Sequence, residues 1–475
     1  MSPHTTAQAP WPLQSRHWPL LAEAASGAPV RCRALLLTGQ VDIARLVAAV
    51  RQVTGHHPVL RARLGEEDGA LRLRTAKTPV PVSVWEADRT GCARALREAA
   101  TAVRDPRHDP LVTFDVVRID SHRLVLAMTA HFLAADLGSL YATLGAVIRA
   151  YFGRYRPDGD PPRPPPLAPV SPAREAWWTK RLARWQQERT FAAALGATAP
   201  DRRVTATRVQ PVPGADWHRL AERAAAAGCS ADLAVVALLA SWRAMVAPDT
   251  ATAVFAAWTD LRHTHGGEGL IGPLSDQIAF GVDLEGHAGM TFTDLLRRTH
   301  AGLLDTMVRH IPYDDLRRLH RAGQPGTRPL WDTRVHFCRV PPRSSLTRDE
   351  ASLAELGLSV ELFDESELLA VAPPADGATW DGVNADLYLT EHGRDDVALT
   401  LHYNAIALDE SGVRLMLRSV SDMITKVDEA PEQPLSDLWR FSGVPDGRGP
   451  DRHGGRGRRH APSTKRRDTS DDSHL

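Results

Sequence analysis

The segment Thr129–Ser139 holds the side chains of this chain that are best suited to chemistry. His131 and Asp136 both stand in it. An imidazole close to an amine or a hydroxyl can take its proton as that group attacks a carbonyl, which is typically worth about 10²–10⁴-fold in rate. Phe132 follows His131 directly and cannot accept a proton. Because neighbouring residues of an extended segment point to opposite sides, we expect His131 to face away from the position that Phe132 faces.

A second imidazole, His336, lies on a predicted strand, and Asp276 directly precedes another. If the two side chains met, the carboxylate would orient the imidazole as in a catalytic dyad. Two unrelated residues are the simpler interpretation, and both remain open. His263, His265 and Glu268 are close in sequence but lack a compact metal-binding spacing, so a polar loop is the better interpretation. We expect no metal site.

The elements next to His131 predict a rigid support for it. Residues 112–119 and 123–129 have the pattern of two strands joined by a tight turn. The second strand is apolar on both faces, so it should be central and buried. A helix is predicted over 139–151 from the spacing of its apolar residues. A strand, a polar tip and a helix together commonly hold a reactive side chain on rigid elements.

The whole pattern predicts an α+β protein with two lobes. Eight prolines among residues 157–172 indicate an extended connector, since proline lacks the backbone donor that a helix needs. We therefore expect a first lobe over residues 1–175, a second over residues 176–440 and, from its polar composition, a disordered tail over 441–475. In the second lobe the pattern predicts helices at 232–246, 293–308 and 411–427 and strands at 251–258, 277–284, 332–340 and 396–403.

Composition narrows the possible functions. Lys and Arg together number 57, as do Asp and Glu, so no overall positive charge favours a nucleic-acid partner. The N-terminus does not have the pattern of a signal peptide, and the longest apolar run, Leu233–Val246, is too short to span a bilayer. We therefore expect a cytoplasmic protein with no membrane contact. Its thiols should be free in a reducing compartment, because no C-x-x-C pair occurs among Cys32, Cys92, Cys229 and Cys338.

The segment from His131 to Leu137 resembles the His-His-x-x-x-Asp-Gly signature of nonribosomal peptide condensation domains. His131 takes the place of the first His, and Asp136 that of the Asp. Phe132 replaces the second His, to which that family assigns catalysis, and Leu137 replaces the Gly, so the signature is degenerate. Seven further blocks resemble family elements in the family's order: residues 14–18, 57–63, 260–262 with 271–273, 311–316, 328–331, 401–404 and 434–438.

The resemblance implies a fold and a set of partners. Two chloramphenicol-acetyltransferase-like lobes would form a V with a central tunnel, where thioesters borne by carrier proteins meet near the signature. The chain would need no cofactor of its own, because its substrates arrive on the phosphopantetheine arms of those carrier proteins. We expect a monomer.

The resemblance also implies roles for individual residues. Asp136 should form a structural salt bridge with Arg262, which organises geometry more than it stabilises. His131 is expected to be a structural histidine bonded to nearby backbone, although His131 and His336 are the candidates for catalysis that the chain retains. The residues expected around the signature and the tunnel wall are Phe132, Asp136, Leu137, Gly138 and Asp276.

Three functions are compatible with these features. The first is amide or ester formation, or cyclisation, on carrier-bound acyl or aminoacyl groups in nonribosomal peptide or related biosynthesis, without the usual His base. An amine is already a strong nucleophile when neutral, so positioning could suffice. The alternative is a catalytically inactive recruitment platform that docks carrier proteins or a tailoring oxygenase, which the lost His favours. The third is alcohol acyl transfer, because residues 260–262 resemble an Asp-Leu-Arg element of that branch. Whether the chain is an enzyme stays open.

Overall fold

The computed structural model describes residues 30–67, 70–102, 104–157, 159, 169–185, 202–262, 270–323, 331, 333–337, 357–363, 377–378, 385–391 and 396–440. Several sequence-based predictions lie outside these residues. They concern the block at 14–18, most of the proline-rich connector, the polar loop with His263, His265 and Glu268, residues 328–330, Cys338 and the tail over 441–475.

The described strands and helices alternate along the chain. The strands are β1 (Val30–Thr38), β2 (Ala62–Glu67), β3 (Ala70–Thr75), β4 (Val82–Glu86), β5 (Val112–Arg118), β6 (Arg123–His131), β7 (Arg202–Arg203), β8 (Thr205–Pro213), β9 (Thr252–Asp260), β10 (Ser275–Asp283), β11 (Thr333–Phe337), β12 (Ser359–Leu362), β13 (Gly377–Ala378), β14 (Ala385–Glu391) and β15 (Asp396–Asn404). The α-helices are α1 (Ile43–His56), α2 (Arg89–Thr101), α3 (Leu137–Tyr151), α4 (Pro172–Trp185), α5 (Gly214–Ala226), α6 (Ala231–Val246), α7 (Phe292–Val308), α8 (Tyr313–Gly323), α9 (Glu410–Glu429) and α10 (Leu435–Arg440).

The first sheet has five strands in the order β12-β1-β6-β5-β4. Strand β6 is central, as its apolar faces predict, and every residue of it except the first is buried. It runs two residues further than the sequence pattern predicts, so His131 is its last residue. Helix α3 begins two residues earlier than predicted, because the carboxylate of Asp136 accepts the amide of Ser139 at 2.8 Å and caps the helix.

The second sheet has six strands in the order β10-β9-β11-β14-β15-β8. Helices α5, α6, α7 and α9 cover one of its faces and form the larger hydrophobic core. Helix α6 is buried on nearly all sides, which explains its continuous apolar run. Among the described helices none is by itself long and apolar enough to cross a membrane, and the pair α5–α6, which passes that test when joined, is bent by 97°.

Two elements connect the parts of the chain on either side of the proline-rich connector. The predicted boundary between residues 175 and 176 falls inside α4, whose Trp178 and Trp185 pack against the second sheet. Strand β12 comes from the later part of the chain, yet it pairs antiparallel with β1 in the first sheet. The first sheet is therefore completed by a strand that lies more than 300 residues after β1 in the sequence.

A buried hydrogen-bonded contact connects α10 to the larger hydrophobic core. Nε1 of Trp439 donates to Oγ of Ser241 at 2.6 Å, and this oxygen lies 2.8 Å from Nε2 of His287. Burial lowers the pKa of His287 to about 4. The imidazole is therefore neutral at physiological pH and can share a hydrogen bond without an uncompensated charge.

We predict that the free energy of unfolding falls as the pH is lowered from about 6.5 to about 4. In this range His287 is protonated in the unfolded chain but stays neutral in the folded protein. For this one group the loss amounts to at most about 3 kcal/mol. Urea denaturation at several pH values should show it, and His287→Gln, which does not titrate, should weaken the dependence. An unchanged dependence in the variant would show that His287 is not responsible.

Candidate functional site

The signature segment forms a short turn between β6 and α3. The backbone amide of His131 donates to the carbonyl of Leu111 at 2.7 Å, which ends the strand. The carbonyl of His131 accepts the amides of Ala134 and Ala135 at 2.9 and 3.2 Å. These bonds fix the turn, so Asp136 arrives at the N-terminus of α3 with its carboxylate in place.

The ring of His131 is fully buried and has a structural contact. Its Nδ1 accepts the backbone amide of Leu133 at 3.2 Å, which is the backbone bond that the sequence analysis expects. The ring stacks on Phe132, with centroids 4.8 Å apart and planes at 24°. The prediction that the two side chains face opposite sides is therefore wrong. The alternation of a strand ends at His131, and Phe132 already belongs to the turn.

Phe132 is half-buried and packs against the hydrophobic core that the first sheet forms with α1 and α3, which we call the first core. Its ring offers no lone pair, so the second position of the signature cannot take a proton. Leu137, which replaces the glycine of the signature, is the first residue of α3 and also packs against the first core. Its helical backbone needs no glycine, so the substitution is tolerated without strain.

The salt bridge implied between Asp136 and Arg262 is present in the structure. Nη2 of Arg262 lies 2.6 Å from Oδ1 of Asp136, and Nη1 lies 3.0 Å from Oδ2. Both side chains are buried, with exposed fractions of 8% and 6%. Arg262 also donates from Nε to the carbonyl of Leu270 at 3.0 Å and from Nη1 to Asp260 at 3.0 Å. This two-pronged geometry is the strongest form of such a pair.

Ser139 and the start of β10 complete the network around this bridge. Oγ of Ser139 accepts Nη2 of Arg262 at 2.7 Å and donates to the carbonyl of Gly272 at 2.6 Å. Oδ2 of Asp136 accepts the amide of Leu274 at 2.8 Å and the hydroxyl of Ser275 at 3.1 Å. The network therefore ties the signature helix α3 to β9 and β10 of the second sheet. We call these connected groups the cross-lobe network.

Both partners of the bridge are charged. Burial alone would raise the pKa of Asp136, but the charge and hydrogen bonds of Arg262 and the amide of Ser139 outweigh it and hold that pKa below its ordinary value. Burial would likewise lower the pKa of Arg262, and Asp136 reverses this and raises it. A buried ion pair whose remaining lone pairs and protons are satisfied in this way holds one geometry.

Gly138 is the glycine that the close approach of Arg262 requires. A Cβ at this position would lie 2.7 Å from Nη1 and 3.0 Å from Cζ of Arg262. Real Cβ atoms do not come that close, so a larger residue would displace the guanidinium.

Of the two interpretations left open for His336 and Asp276, the structure agrees with two unrelated residues, because the two side chains do not meet. The two strands that carry them, β11 and β10, are separated by β9. Asp276 is paired with Thr259, whereas the register of β11 continues to place His336 beside Trp258. Since neighbouring residues of a strand point to opposite faces, the two side chains lie on opposite faces of the sheet.

Each of the two residues has another partner. Oδ2 of Asp276 lies 3.0 Å from Nε2 of His310, which follows α7. Nε2 of His336 lies 2.9 Å from Oδ1 of Asp386 on the neighbouring strand β14. Asp276 therefore lies away from His336, and its expected place beside the signature as a tunnel-wall residue stays a prediction.

The sequence analysis missed three residues of these clusters: Ser139, Asp386 and His310. Asp386 had a detectable signal, because it stands directly between the apolar residues Ala385 and Leu387, where a buried charge needs a partner. Ser139 stands next to the signature, but its role depends on Gly272, which is distant in sequence. His310 has no local signal, since its partner is fixed only by the packing of α7 on β10.

The comparisons with known proteins agree with this geometry. The Condensation domain family matches residues 11–444. The chain therefore belongs to the condensation-domain family, and its fold is the mixed helix-and-sheet, chloramphenicol-acetyltransferase-like fold that the sequence resemblance implies. No curated protein matches the chain.

Solved structures extend this likeness over nearly the whole chain. The tallysomycin biosynthesis protein TlmII is 30% identical, with a TM-score of 0.71, over 90% of this chain and 99% of that one. The X-domain from teicoplanin biosynthesis, in its complex with OxyB, is 20% identical with a TM-score of 0.64, over 92% and 97%. The first condensation domain of the calcium-dependent antibiotic synthetase, in complex with a substrate analogue, is 12% identical with a TM-score of 0.68, over 91% and 98%.

We predict that Arg262→Ala destabilises the fold by about 3–5 kcal/mol, because it leaves the carboxylate of Asp136 buried without a cation. The control is Arg208→Ala, which removes an exposed pair with Glu410 and should cost less than about 1 kcal/mol. Chemical denaturation measures both losses. Equal, small losses would show that the cross-lobe network does not hold the structure.

A glycine pair tests the close approach at α3. We predict that Gly138→Ala lowers the melting temperature, because its methyl group would collide with Arg262. In the control, Gly55→Ala, the new methyl group meets nothing within 4 Å. That change should be neutral or stabilise α1 by up to about 1 kcal/mol, as the helix propensities of the two residues require. Equal melting temperatures for the two variants would contradict the predicted collision.

Proposed function

We propose that this protein acts on acyl or aminoacyl thioesters that carrier proteins present to it in natural-product assembly. It joins the acyl group to an amine or hydroxyl acceptor without an imidazole at the second position of its signature. Its family membership and its likeness to TlmII, a tallysomycin biosynthesis protein, support the pathway class. The partners would be carrier proteins, with the substrates on their phosphopantetheine arms.

The cross-lobe network is the observation that carries this proposal. It fixes the N-terminus of α3 against β9 and β10 through the bridge between Asp136 and Arg262. A site that keeps such a scaffold can hold two reactants in an attacking geometry, and orientation alone supplies a large part of many rate accelerations. An amine is nucleophilic when neutral, so the loss of one base at Phe132 lowers the rate without abolishing the reaction.

The proposal has further parts. The protein would work in the cytoplasm, where carrier proteins and their assembly enzymes operate, and it would act as a monomer. It would hold no cofactor, because the reactive thioester comes with the carrier protein. Acyl transfer to an alcohol is included as the case in which the acceptor is a hydroxyl.

A recruitment platform is the second candidate function. Phe132 favours it, because the residue that this family uses for catalysis is absent. The X-domain that resembles this chain in fold is described in a complex with OxyB, and an oxygenase is the corresponding partner here. In this case the protein would bind carrier proteins and a tailoring oxygenase and form no bond.

Loaded carrier proteins distinguish the two functions. Candidate carrier proteins are converted to their phosphopantetheine form, loaded with acyl or aminoacyl groups and mixed in pairs with the purified protein. Intact-protein mass spectrometry should show one carrier losing its acyl group and the acceptor gaining it. Binding of loaded carriers without any transfer, at protein concentrations that saturate binding, would overturn the proposal in favour of the platform.

We predict that Phe132→His raises the rate of acyl transfer by about tenfold or more, because it restores the proton acceptor that the family signature has at this position. The control is Phe132→Leu, which keeps an apolar side chain and should leave the rate within about twofold, since neither side chain accepts a proton. Single-turnover mass spectrometry measures each rate. A folded Phe132→His variant with an unchanged rate would show that this position does not face the reacting groups.

A further inference from the structure

A buried imidazole–carboxylate pair lies in the second sheet, outside the signature. Nε2 of His336 is 2.9 Å from Oδ1 of Asp386, and Nε of Arg334 donates to the same oxygen at 2.7 Å. The exposed fraction is 7% for His336 and zero for Asp386. Arg334 neutralises the carboxylate, so the cluster can be buried without a net charge while the histidine is neutral.

The register of the sheet places this pair on the face opposite the helices of the larger core. Arg334 is paired with Asp386, and His336 with Tyr388, in the parallel ladder of β11 and β14. The ring of His336 stacks on Tyr388, with centroids 4.0 Å apart and planes at 14°. Val335, between the two β11 residues, points to the other face and packs in the larger core. The imidazole is thus held from its side by Asp386 and over its plane by Tyr388.

The contacts determine which ring nitrogen carries the proton. Nε2 of His336 lies 2.9 Å from Oδ1 of Asp386, which can only accept, and 3.3 Å from Nε of Arg334, which can only donate. Because Nε of Arg334 donates to Asp386 at 2.7 Å, the shorter contact of His336 with Asp386 assigns the proton to Nε2. The lone pair of the neutral ring is therefore on Nδ1. No group of the described residues makes a hydrogen bond to Nδ1.

Charges around the ring keep it neutral. Burial lowers the pKa of His336 to about 4, Asp386 opposes this, and the positive charges of Arg334 and Arg31 add to the lowering. His402 and Tyr388 are further titratable side chains on this face of β14 and β15. The lone pair on Nδ1 is consequently available throughout the physiological pH range.

Strand β9 locates the pair relative to the signature. It runs parallel to β11, and the guanidinium of Arg334 lies over the ring of Trp258, 5.9 Å from its centroid. Trp258 stands two residues before Asp260, whose Oδ1 accepts Nη1 of Arg262 at 3.0 Å, so the pair lies near the end of β9 that the cross-lobe network holds. The second sheet thus places an imidazole towards the signature, where Phe132 stands in place of the family's second histidine.

We propose that His336, oriented by Asp386, is the proton acceptor for the acceptor nucleophile in this protein. The inference rests on the proposed function. The nitrogen lone pair of an acceptor amine attacks the thioester carbonyl carbon, a C–N bond forms, and Nδ1 of His336 takes one N–H proton. The C–S bond then breaks, the sulfur leaves as a thiolate, and the imidazolium returns the proton to it. An amide and the free thiol of the carrier's arm result, with no other reactant.

The chain offers a matched control on the other face of the same sheet. Nε2 of His310 lies 3.0 Å from Oδ2 of Asp276, which is the same kind of pair at nearly the same distance. Asp276 is paired with Thr259 and therefore points away from the face of His336. Replacing His310 removes an imidazole–carboxylate contact of equal type without touching the proposed acceptor.

The experiment measures acyl transfer between loaded carrier proteins for the full chain and for His336→Ala, His336→Asn and His310→Ala. We expect His336→Ala to lower kcat at least about 100-fold with KM within about threefold, and added imidazole to restore part of the rate. Added imidazole should restore less of the rate to His336→Asn than to His336→Ala, since the amide side chain fills the space that imidazole needs. His310→Ala should keep kcat within about threefold. The imidazole rescue then separates a catalytic role of His336 from a purely structural one, because added imidazole cannot repair a distorted structure.

The pH profile supplies a second measurement. With a hydroxyl acceptor, which does not titrate in this range, the wild-type rate should stay level between about pH 6 and about pH 8, because His336 is already neutral there, whereas a base of ordinary pKa would lose activity below about pH 6.5. Wild-type transfer with an unaffected, folded His336→Ala variant would overturn this inference and leave the proposed function standing. No transfer by the wild type with any loaded carrier would overturn the proposed function, and this inference with it.

Discussion

The buried bridge between Asp136 and Arg262 is the interaction on which the site depends. It joins the cap of α3, the end of β9 and the start of β10, three elements from distant parts of the chain. Removing two charges from water is costly, and the cost is offset only because both side chains find their full set of partners. Gly138 leaves room for the guanidinium, and Ser139 links it to the backbone at Gly272. One rigid geometry at the signature follows.

In the proposed reaction, this geometry separates positioning from proton transfer, which is assigned to His336. In the family signature, one segment both builds the scaffold and carries the imidazole assigned to catalysis. Here the segment keeps the scaffold through Asp136, and its second position holds Phe132, which stacks on the buried ring of His131. The second sheet contributes a different imidazole, His336, whose orientation comes from Asp386. A reaction whose acceptor is an amine tolerates such a division, because holding the reactants together supplies much of the acceleration.

The sequence predicted features that depend on local pattern or on a linear motif. The central position of β6 follows from its apolar faces, and the bridge from the matched signature and Arg262. Whether His336 and Asp276 form a pair could not be decided from the sequence, because the order of strands in a sheet is not encoded by neighbouring residues: β9 lies between them. The pairing of Ser359–Leu362 with β1 in the first sheet is likewise a long-range contact, and no local pattern in the sequence indicates it.

The most direct measurement of this account is a crystal structure of the protein bound to a carrier protein whose pantetheine arm ends in a stable amide analogue bearing an amine. The account predicts that the amine nitrogen lies within about 3.5 Å of Nδ1 of His336. It also predicts that Phe132 contacts only apolar atoms of the analogue and that the bridge from Asp136 to Arg262 is unchanged. An amine bound against His131, with Phe132 displaced and His336 out of reach, would contradict it.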